Sequence, residues 1–353
     1  MSLVYYKTKS PANSSRAFST HKEAESQPQA LINLELDSSR RIIVNSKFNS
    51  DLICYDDNYN TSDDSHLRET LHYLEQIINQ LLPKLVLEIG CGQGELVKAL
   101  DSKAIKSIGF DPTLKEQSTI LFKEYFKVDK SNSSNDESIL FVMRCVLPHI
   151  QSPFTYLNNL MDQYPNSKVL IEFQDLKYTL SNKLWVNFSH DHVNYFSHSS
   201  FRYEYQVLYS GSFAGGEWGF VVLNGRKDQK FKFTPKKNFL LSYKFQKTRN
   251  FKKKQLSRLK TSKKDIYIYG AAGKGTQLCH ELKLLGFRNL HVIDQNKNKH
   301  NLFIESSGFQ IISLDTAKEK MTANSIILVV NPRHLDFVML NFPECQVKNF
   351  KDI

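Results

Sequence analysis

At 353 residues, with 41% hydrophobic and 24% charged side chains, the chain is long enough for two or three domains and has the composition of a folded globular protein. No apolar run reaches the roughly 18 residues that span a bilayer, and residues 1–29 lack the apolar core of a signal peptide. Both readings exclude a membrane protein and place the chain in the cytoplasm. Cys54, Cys91, Cys145, Cys279 and Cys345 are far apart with no C-x-x-C pair, which excludes a disulfide framework and a cysteine zinc site.

The net charge of +11 is local: residues 230–264 carry fourteen Lys or Arg and no acid, leaving 33 basic against 36 acidic residues elsewhere. A basic segment on a slightly acidic body argues against nucleic acid as the partner.

In chain order, residues 1–50 read as weakly structured, at most a small hairpin from strand-like stretches at 31–36 and 41–44. Residues 10–26 offer little to bury. Residues 55–64 read as an acidic loop. A helix then starts at an N-cap on Ser65, with Leu67, Leu71, Leu74, Ile77, Ile78 and Leu81 on one face, and closes at Pro83. The apolar run 85–90 reads as a strand buried on both faces. A helix follows at 95–101, with strands at 105–110, 120–122, 139–143 and 168–173 and a helix at 154–163. Strands alternating with helices predict an α/β fold with a doubly wound parallel sheet. Further strands at 203–208 and 218–223 end this unit, which spans residues 51–228. Residues 229–264 read as a linking helix with a solvated basic face. From 265 to 353 the pattern restarts as a smaller Rossmann-like unit: a strand at 265–269, a glycine turn at 270–275, a helix at 277–285, and strands at 290–293 and 325–330.

Glu88-Ile-Gly-Cys-Gly-Gln-Gly94 lies where a strand turns into a helix, so Gly90, Gly92 and Gly94 let the backbone approach a ligand. Glu88 can pair with the charged amino-acid part of a ligand. Asp111, followed by Pro112, ends the next strand, where an acid can accept both ribose hydroxyls. Glu95 places a negative charge where a dinucleotide would put its pyrophosphate, which disfavours NAD. Ser189-His-Asp-His-Val-Asn-Tyr-Phe-Ser197 packs two histidines around an acid. On a strand, His190 and His192 share a face with Asp191 opposite, and either histidine can move a proton near neutral pH. No third ligand is evident beside them, so no metal is expected. Tyr269-Gly-Ala-Ala-Gly-Lys-Gly275 sets Gly270, Ala271, Lys274 and Gly275 at a helix start, a plausible phosphate site. Asp294 and Asn296 are placed to bind ribose or base edges.

The segment V-L-E-I-G-C-G-Q-G with a following G-F-D-P resembles motifs I and II of the class I methyltransferases. The resemblance implies that Glu88, Gly90, Cys91, Gly92, Gly94, Asp111 and Pro112 hold S-adenosylmethionine. Four further stretches resemble the sugar C-methyltransferases: S-H-D-H-V-N-Y-F-S, Met143-Arg-Cys-Val-Leu-Pro-His149, Leu170-Ile-Glu-Phe-Gln-Asp175 and Gly215-Gly216. Ser189 stands where that family has tyrosine, Asp191 where it has glutamate, and Pro148 where it has an acid. Y-G-A-x-x-K-G, D-x-N-x-x-K at 294–299 and Asn331-Pro332 resemble the same family's C-terminal domain. That resemblance implies that Gly270, Ala271, Lys274, Gly275, Asp294, Asn296 and Asn331 hold the nucleotide end of a nucleotide-sugar. It also implies Arg144 beside the cofactor, and His190, Asp191, His192 and Tyr195 beside the reacting carbon. The family's N-terminal zinc module has no counterpart, since residues 1–50 contain no cysteine. The expected activity is methyl transfer from S-adenosylmethionine to a nucleotide-linked keto-sugar, with a histidine as base. O-methylation of another small metabolite or saccharide and non-catalytic binding of the cofactor are the alternatives. Nucleic-acid methylation is disfavoured because no D-P-P-Y-like box follows the fourth strand.

Overall fold

The computed structural model describes residues 4–37, 42–54, 64–128, 138–227, 239–262, 264–288 and 290–353. The acidic loop read at 55–64 lies almost wholly outside these residues.

The first α/β unit is a seven-stranded sheet. In spatial order its strands are Leu121–Phe122, Ser107–Phe110, Leu85–Ile89, Ile139–Arg144, Lys168–Gln174, Trp218–Arg226 and Tyr205–Phe213. The first five are mutually parallel, and Trp218–Arg226 runs antiparallel to both of its neighbours. Alternate side chains feed two cores. Leu85, Leu87, Ile89, Phe141 and Met143 pack on one face; Val86, Leu140 and Val142 pack on the other with Leu74, Ile77 and Ile78 of helix Asp64–Leu81. Covering on both faces is why these strands read as unbroken apolar runs.

The second unit is also seven-stranded, in the order Gln346–Asn349, Ile326–Val329, Ile266–Tyr269, His291–Ile293, Gln310–Ile312, Phe303–Ile304 and Ala17–Phe18. Its last strand comes from the N-terminus. The reading of residues 10–26 as having little to bury is therefore corrected. Ser10, Asn13, Ser14, Ser15, Arg16, Ala17 and Phe18 are all buried, and Thr20 and Glu23 form a capping box on the helix His21–Ser26. The expected hairpin forms from Gln29–Asp37 and Ile42–Asn45. It belongs to a four-stranded antiparallel sheet completed by Val4–Pro11 and by Asn194–Tyr195 from the first unit. The first fifty residues thus join the two units.

The basic segment forms the helix Phe239–Thr261. Its basic face is not simply solvated. Arg249 is 9% exposed and pairs with Glu281 at 3.1 Å, its guanidinium 5.0 Å from the Tyr6 ring centre. Lys252, 3% exposed, donates to the carbonyls of Phe350 and Lys351. Leu256 is buried in the core of the second unit. Side chains of residues 239–246, including the stripe members Leu241 and Phe245, lie outside the described set. Among the described residues no helix is long and apolar enough to cross a membrane.

Candidate active site

Three strand ends build one rim of the site. Glu88 is fully buried, and its Oε1 accepts from Arg144 Nε at 2.6 Å. Burial pushes the Glu88 carboxyl up to about 7, against the pull of Arg144. Its Oε2 is buried and has no hydrogen-bond partner among the described residues. A buried carboxylate oxygen without a donor is costly, so this atom is poised for a cationic ligand group.

Gly90, Gly92 and Gly94 all have positive φ. At Gly92 an added Cβ would meet nothing nearer than Glu95 Oε2 at 3.8 Å, so its α-carbon borders open space. At Gly90 the same atom would lie 2.3 Å from Val146 Cγ2, so the loop after strand Ile139–Arg144 sits directly against the glycine turn. Cys91 faces inward, 1% exposed. Asp111 accepts from the Gly92 N–H at 2.9 Å and from the Thr113 N–H and hydroxyl at 2.7 and 2.6 Å, with Pro112 turning the chain beside it. An aspartate tied to the glycine turn and half-buried at a strand end can still accept ribose hydroxyls through its remaining lone pairs. These residues fit the adenosyl, ribose and amino-acid parts of S-adenosylmethionine.

Next to this rim, Glu172 accepts from Thr70 Oγ1 at 2.7 Å, from the Tyr73 hydroxyl and from His66 Nε2 at 3.0 Å. Burial pushes Glu172 up, but His66, Arg144 and Tyr73 together hold it below the usual carboxylate range. His66, Glu172 and Cys145 bring ligand-type atoms within 4.8 Å of one another. The sequence reading missed this trio because its members are 106 and 27 residues apart along the chain. Glu172 is already satisfied by three donors, so the trio is accounted for as a hydrogen-bond network.

The histidine motif is not a strand. Residues 189–193 form a turn leading into Asn194–Tyr195, which corrects the expectation that His190 and His192 share a face opposite Asp191. His190 is fully buried, stacked on Phe48 at 5.5 Å, and its Nε2 accepts the Asn49 N–H at 3.2 Å. That role anchors the N-terminal sheet. Tyr195, also buried, donates to the Ser189 carbonyl at 2.8 Å and accepts the Ser189 N–H at 3.1 Å, closing the turn. Its phenol is a brace, and burial raises its pKa further. These hydrogen bonds engage the Tyr195 hydroxyl and the His190 Nε2 within the protein.

His192 is placed differently. It is half-buried, with its ring edge-on to His149 at 4.7 Å. Burial, with His149 adding to it, pushes its imidazole down to about 4, so it is neutral at pH 7. His149 Nδ1 lies 2.7 Å from the Asp191 carbonyl, which can only accept, so Nδ1 carries a proton and donates it there. Asp191, 2% exposed, accepts from Ser14 Oγ at 2.6 Å. The Pro148 carbonyl takes the Val193 N–H at 2.8 Å, which locks the His149 and His192 turns together. Since Val146 abuts Gly90, this pair hangs beyond the carboxyl ends of the two central strands. His149 entered the sequence reading only as part of a resembling segment; its burial against His192 needs contacts 43 residues apart.

The C-terminal loop is largely satisfied from within. Gly270 has φ +106, and an added Cβ at Gly275 would fall 1.8 Å from the Gly270 carbonyl oxygen, so the turn closes tightly on itself. The Gly273 N–H and the Thr276 hydroxyl both donate to the Ser14 carbonyl, at 2.6 and 2.8 Å. Asp294 accepts from the Ala271 and Asn296 N–H groups at 2.7 and 2.8 Å; Asn296 and Asn331 cap the turns that follow them. Lys274 forms an ion pair with Glu217, and Arg333 one with Glu69 at 3.3 Å, both across to the first unit. A phosphate here would therefore compete with Ser14 for the Gly273 amide and with Glu217 for Lys274.

Two family models match the chain: a methyltransferase domain over residues 62–205 and a C-methyltransferase C-terminal domain over residues 231–346. No curated protein matches it significantly. Among solved structures it is similar to the PH0226 protein from Pyrococcus horikoshii (15% identity, 47% of this chain and 92% of that one, TM-score 0.36). It is also similar to a SAM-dependent methyltransferase from Archaeoglobus fulgidus (14%, 47% and 95%, 0.35) and to magnesium protoporphyrin IX methyltransferase from Synechocystis (14%, 45% and 82%, 0.32). The sheet order, with its antiparallel penultimate strand, and the methyltransferase-domain match define the chain as a class I methyltransferase with S-adenosylmethionine as its cofactor. Its second domain is of the C-methyltransferase type.

Proposed function

We propose that the enzyme methylates carbon, taking a nucleotide-linked keto-sugar as acceptor, with His192 as the general base. The observation that carries this reading is the pairing of His192 with His149 in a turn seated against the Gly90 end of the cofactor loop. S-adenosylmethionine supplies an electrophilic methyl group on a sulfonium sulfur. Glu88 would pair with its ammonium group, Asp111 would hold its ribose, and Gly92, which has no side chain, would let it lie close to the turn.

A neutral His192 would remove the proton from the carbon beside the acceptor's carbonyl, and the electron pair left on that carbon would form the new bond to the methyl carbon as the methyl–sulfur bond breaks, its electrons staying on the sulfur of the departing thioether. His149, with its Nδ1–H fixed on the Asp191 carbonyl and its ring edge-on to His192, orients the base. Asp191, carrying its negative charge nearby, stabilises the imidazolium that forms. Lys274 exchanges Glu217 for a phosphate of the acceptor. The match of residues 231–346 to a C-methyltransferase domain supports carbon as the acceptor atom.

The test is proton exchange. Nucleoside-diphosphate keto-sugars incubated with enzyme in D2O should take up deuterium beside the carbonyl, and His192→Gln should slow this by about 10²–10⁴-fold. Turnover of hydroxylated acceptors without any such exchange would instead favour O-methylation.

A further inference from the structure

We propose that Ser14 is a positioning residue for the catalytic turn: seated in the glycine loop of the second domain, it fixes the Asp191 carboxylate beside His149 and His192. The proposal rests on the reading of His192 as the base. Ser14 makes three contacts that no other residue combines among those described. Its carbonyl accepts from the Gly273 N–H at 2.6 Å and from the Thr276 hydroxyl at 2.8 Å, and its own hydroxyl donates to Asp191 Oδ2 at 2.6 Å. Serine is 6% exposed and Asp191 2% exposed, so water does not share these bonds.

The seat itself is built. Asn13 donates its N–H to Glu305 Oε1 at 3.1 Å, the Ser15 carbonyl accepts from the buried Lys299 at 3.4 Å, and Ser10 Oγ donates to Gln277 Oε1 at 3.0 Å. The loop that resembles a phosphate cradle thus serves as a socket for residues 13–15, and Ser14 carries that contact on to the catalytic turn. Asp191 Oδ1 is buried and makes no close hydrogen bond among the described residues, and of the two hydroxyls that bear on the carboxylate, Ser14 and Ser189, Ser14 is the one bonded to it at 2.6 Å. The other titratable groups that bear on it are His192 on the same turn, His149 from the turn after strand Ile139–Arg144, Tyr195 behind it and Glu305 from the second domain. Without the Ser14 hydroxyl the carboxylate keeps only Ser189 as a hydroxyl donor and depends more on the charges of His149 and His192. Asp191 should then bind a proton more readily, and at least one imidazole should become more basic.

The experiment uses the full chain labelled with ¹⁵N-histidine, with the imidazole shifts of His149 and His192 followed against pH. Ser14→Ala should raise at least one of the two midpoints by about half a pH unit or more, while Ser14→Thr, which restores a hydroxyl, should follow the parent. Thr276→Val removes one of the two donors to the Ser14 carbonyl and should move the midpoints in the same direction, which keeps the test open if Ser14→Ala fails to fold. With a keto-sugar acceptor, Ser14→Ala should lower kcat about tenfold at unchanged KM, with the acid limb of the profile moved to higher pH. Midpoints unmoved in Ser14→Ala or Thr276→Val, or moved equally in Ser14→Ala and Ser14→Thr, overturn the assignment. The titration needs no acceptor, so its failure is distinguishable from a failure of the proposed reaction.

Discussion

Replacing Glu88 by Gln keeps the size of the side chain and removes its charge. The parent carboxyl is fully buried, has one oxygen on Arg144 and the other on nothing, and is pushed up to about 7 by burial. The rise from 4.5 corresponds to about 3 kcal/mol of penalty on the ionised form, at about 1.4 kcal/mol per tenfold. The folded state holds this proton more tightly than the unfolded chain does. Its contribution to stability is therefore fully present below about pH 4.5 and is lost as pH rises through about 7. Gln imitates the protonated form at every pH. In urea unfolding of the cofactor-free protein, the stability of Glu88→Gln relative to the parent should improve by up to about 3 kcal/mol between pH 4.5 and pH 8. The cofactor's ammonium group should reverse the penalty, so parent binding should release a proton near pH 7 and tighten from pH 6 to pH 8. Calorimetry in two buffers of different ionisation enthalpy reads that proton directly. A parent–variant gap that stays constant with pH, together with binding that releases no proton, would refute the assignment of Glu88 to the ammonium.

Asp111→Ala should weaken S-adenosylmethionine binding by about 1–3 kcal/mol in a folded protein, measured by calorimetry, through loss of a charged hydrogen-bond acceptor. Arg249→Ala strips one of two cationic partners from Glu281, Lys253 remaining, and should destabilise the chain by about 1–3 kcal/mol in thermal or urea unfolding; a loss below about 0.5 kcal/mol would mean that the basic helix is only loosely docked. Elemental analysis after chelator washing is expected to find no zinc, and one zinc per chain would direct attention to His66, Cys145 and Glu172.

The central strands were legible because each is covered on both faces and so reads as an apolar run. Helix Glu95–Asp101 was found at its true ends because Gly94 precedes it and the periodicity is local. Strands Phe303–Ile304 and Asn194–Tyr195 were not legible: two residues long, they are fixed by partners at Ala17–Phe18 and Ile43–Val44 rather than by their own pattern. The same distance in sequence hid the burial of residues 10–18. Their serines and asparagine are polar by composition and become core only because Gly273, Thr276, Glu305 and Asp191 supply their hydrogen bonds. At the site, motif spacing pointed to Glu88, Asp111 and the pair of histidines. It could not separate His190 from His192, since the difference lies in Phe48 and Asn49 engaging one ring and His149 meeting the other. Lys274 reads as an anion site because glycine-turn N–H groups and an ammonium meet at a helix start; here Glu217 of the other unit pairs with it.

The most direct measurement gives the enzyme S-adenosylmethionine carrying a ¹³C-labelled methyl group, together with nucleoside-diphosphate keto-sugars, and follows the product by carbon NMR. The account predicts a labelled methyl bonded to the carbon beside the carbonyl, formed by the parent and lost in His192→Gln while cofactor binding is retained. A labelled methyl on oxygen, or a His192→Gln variant that forms the carbon-methylated product at the parent rate, would contradict it.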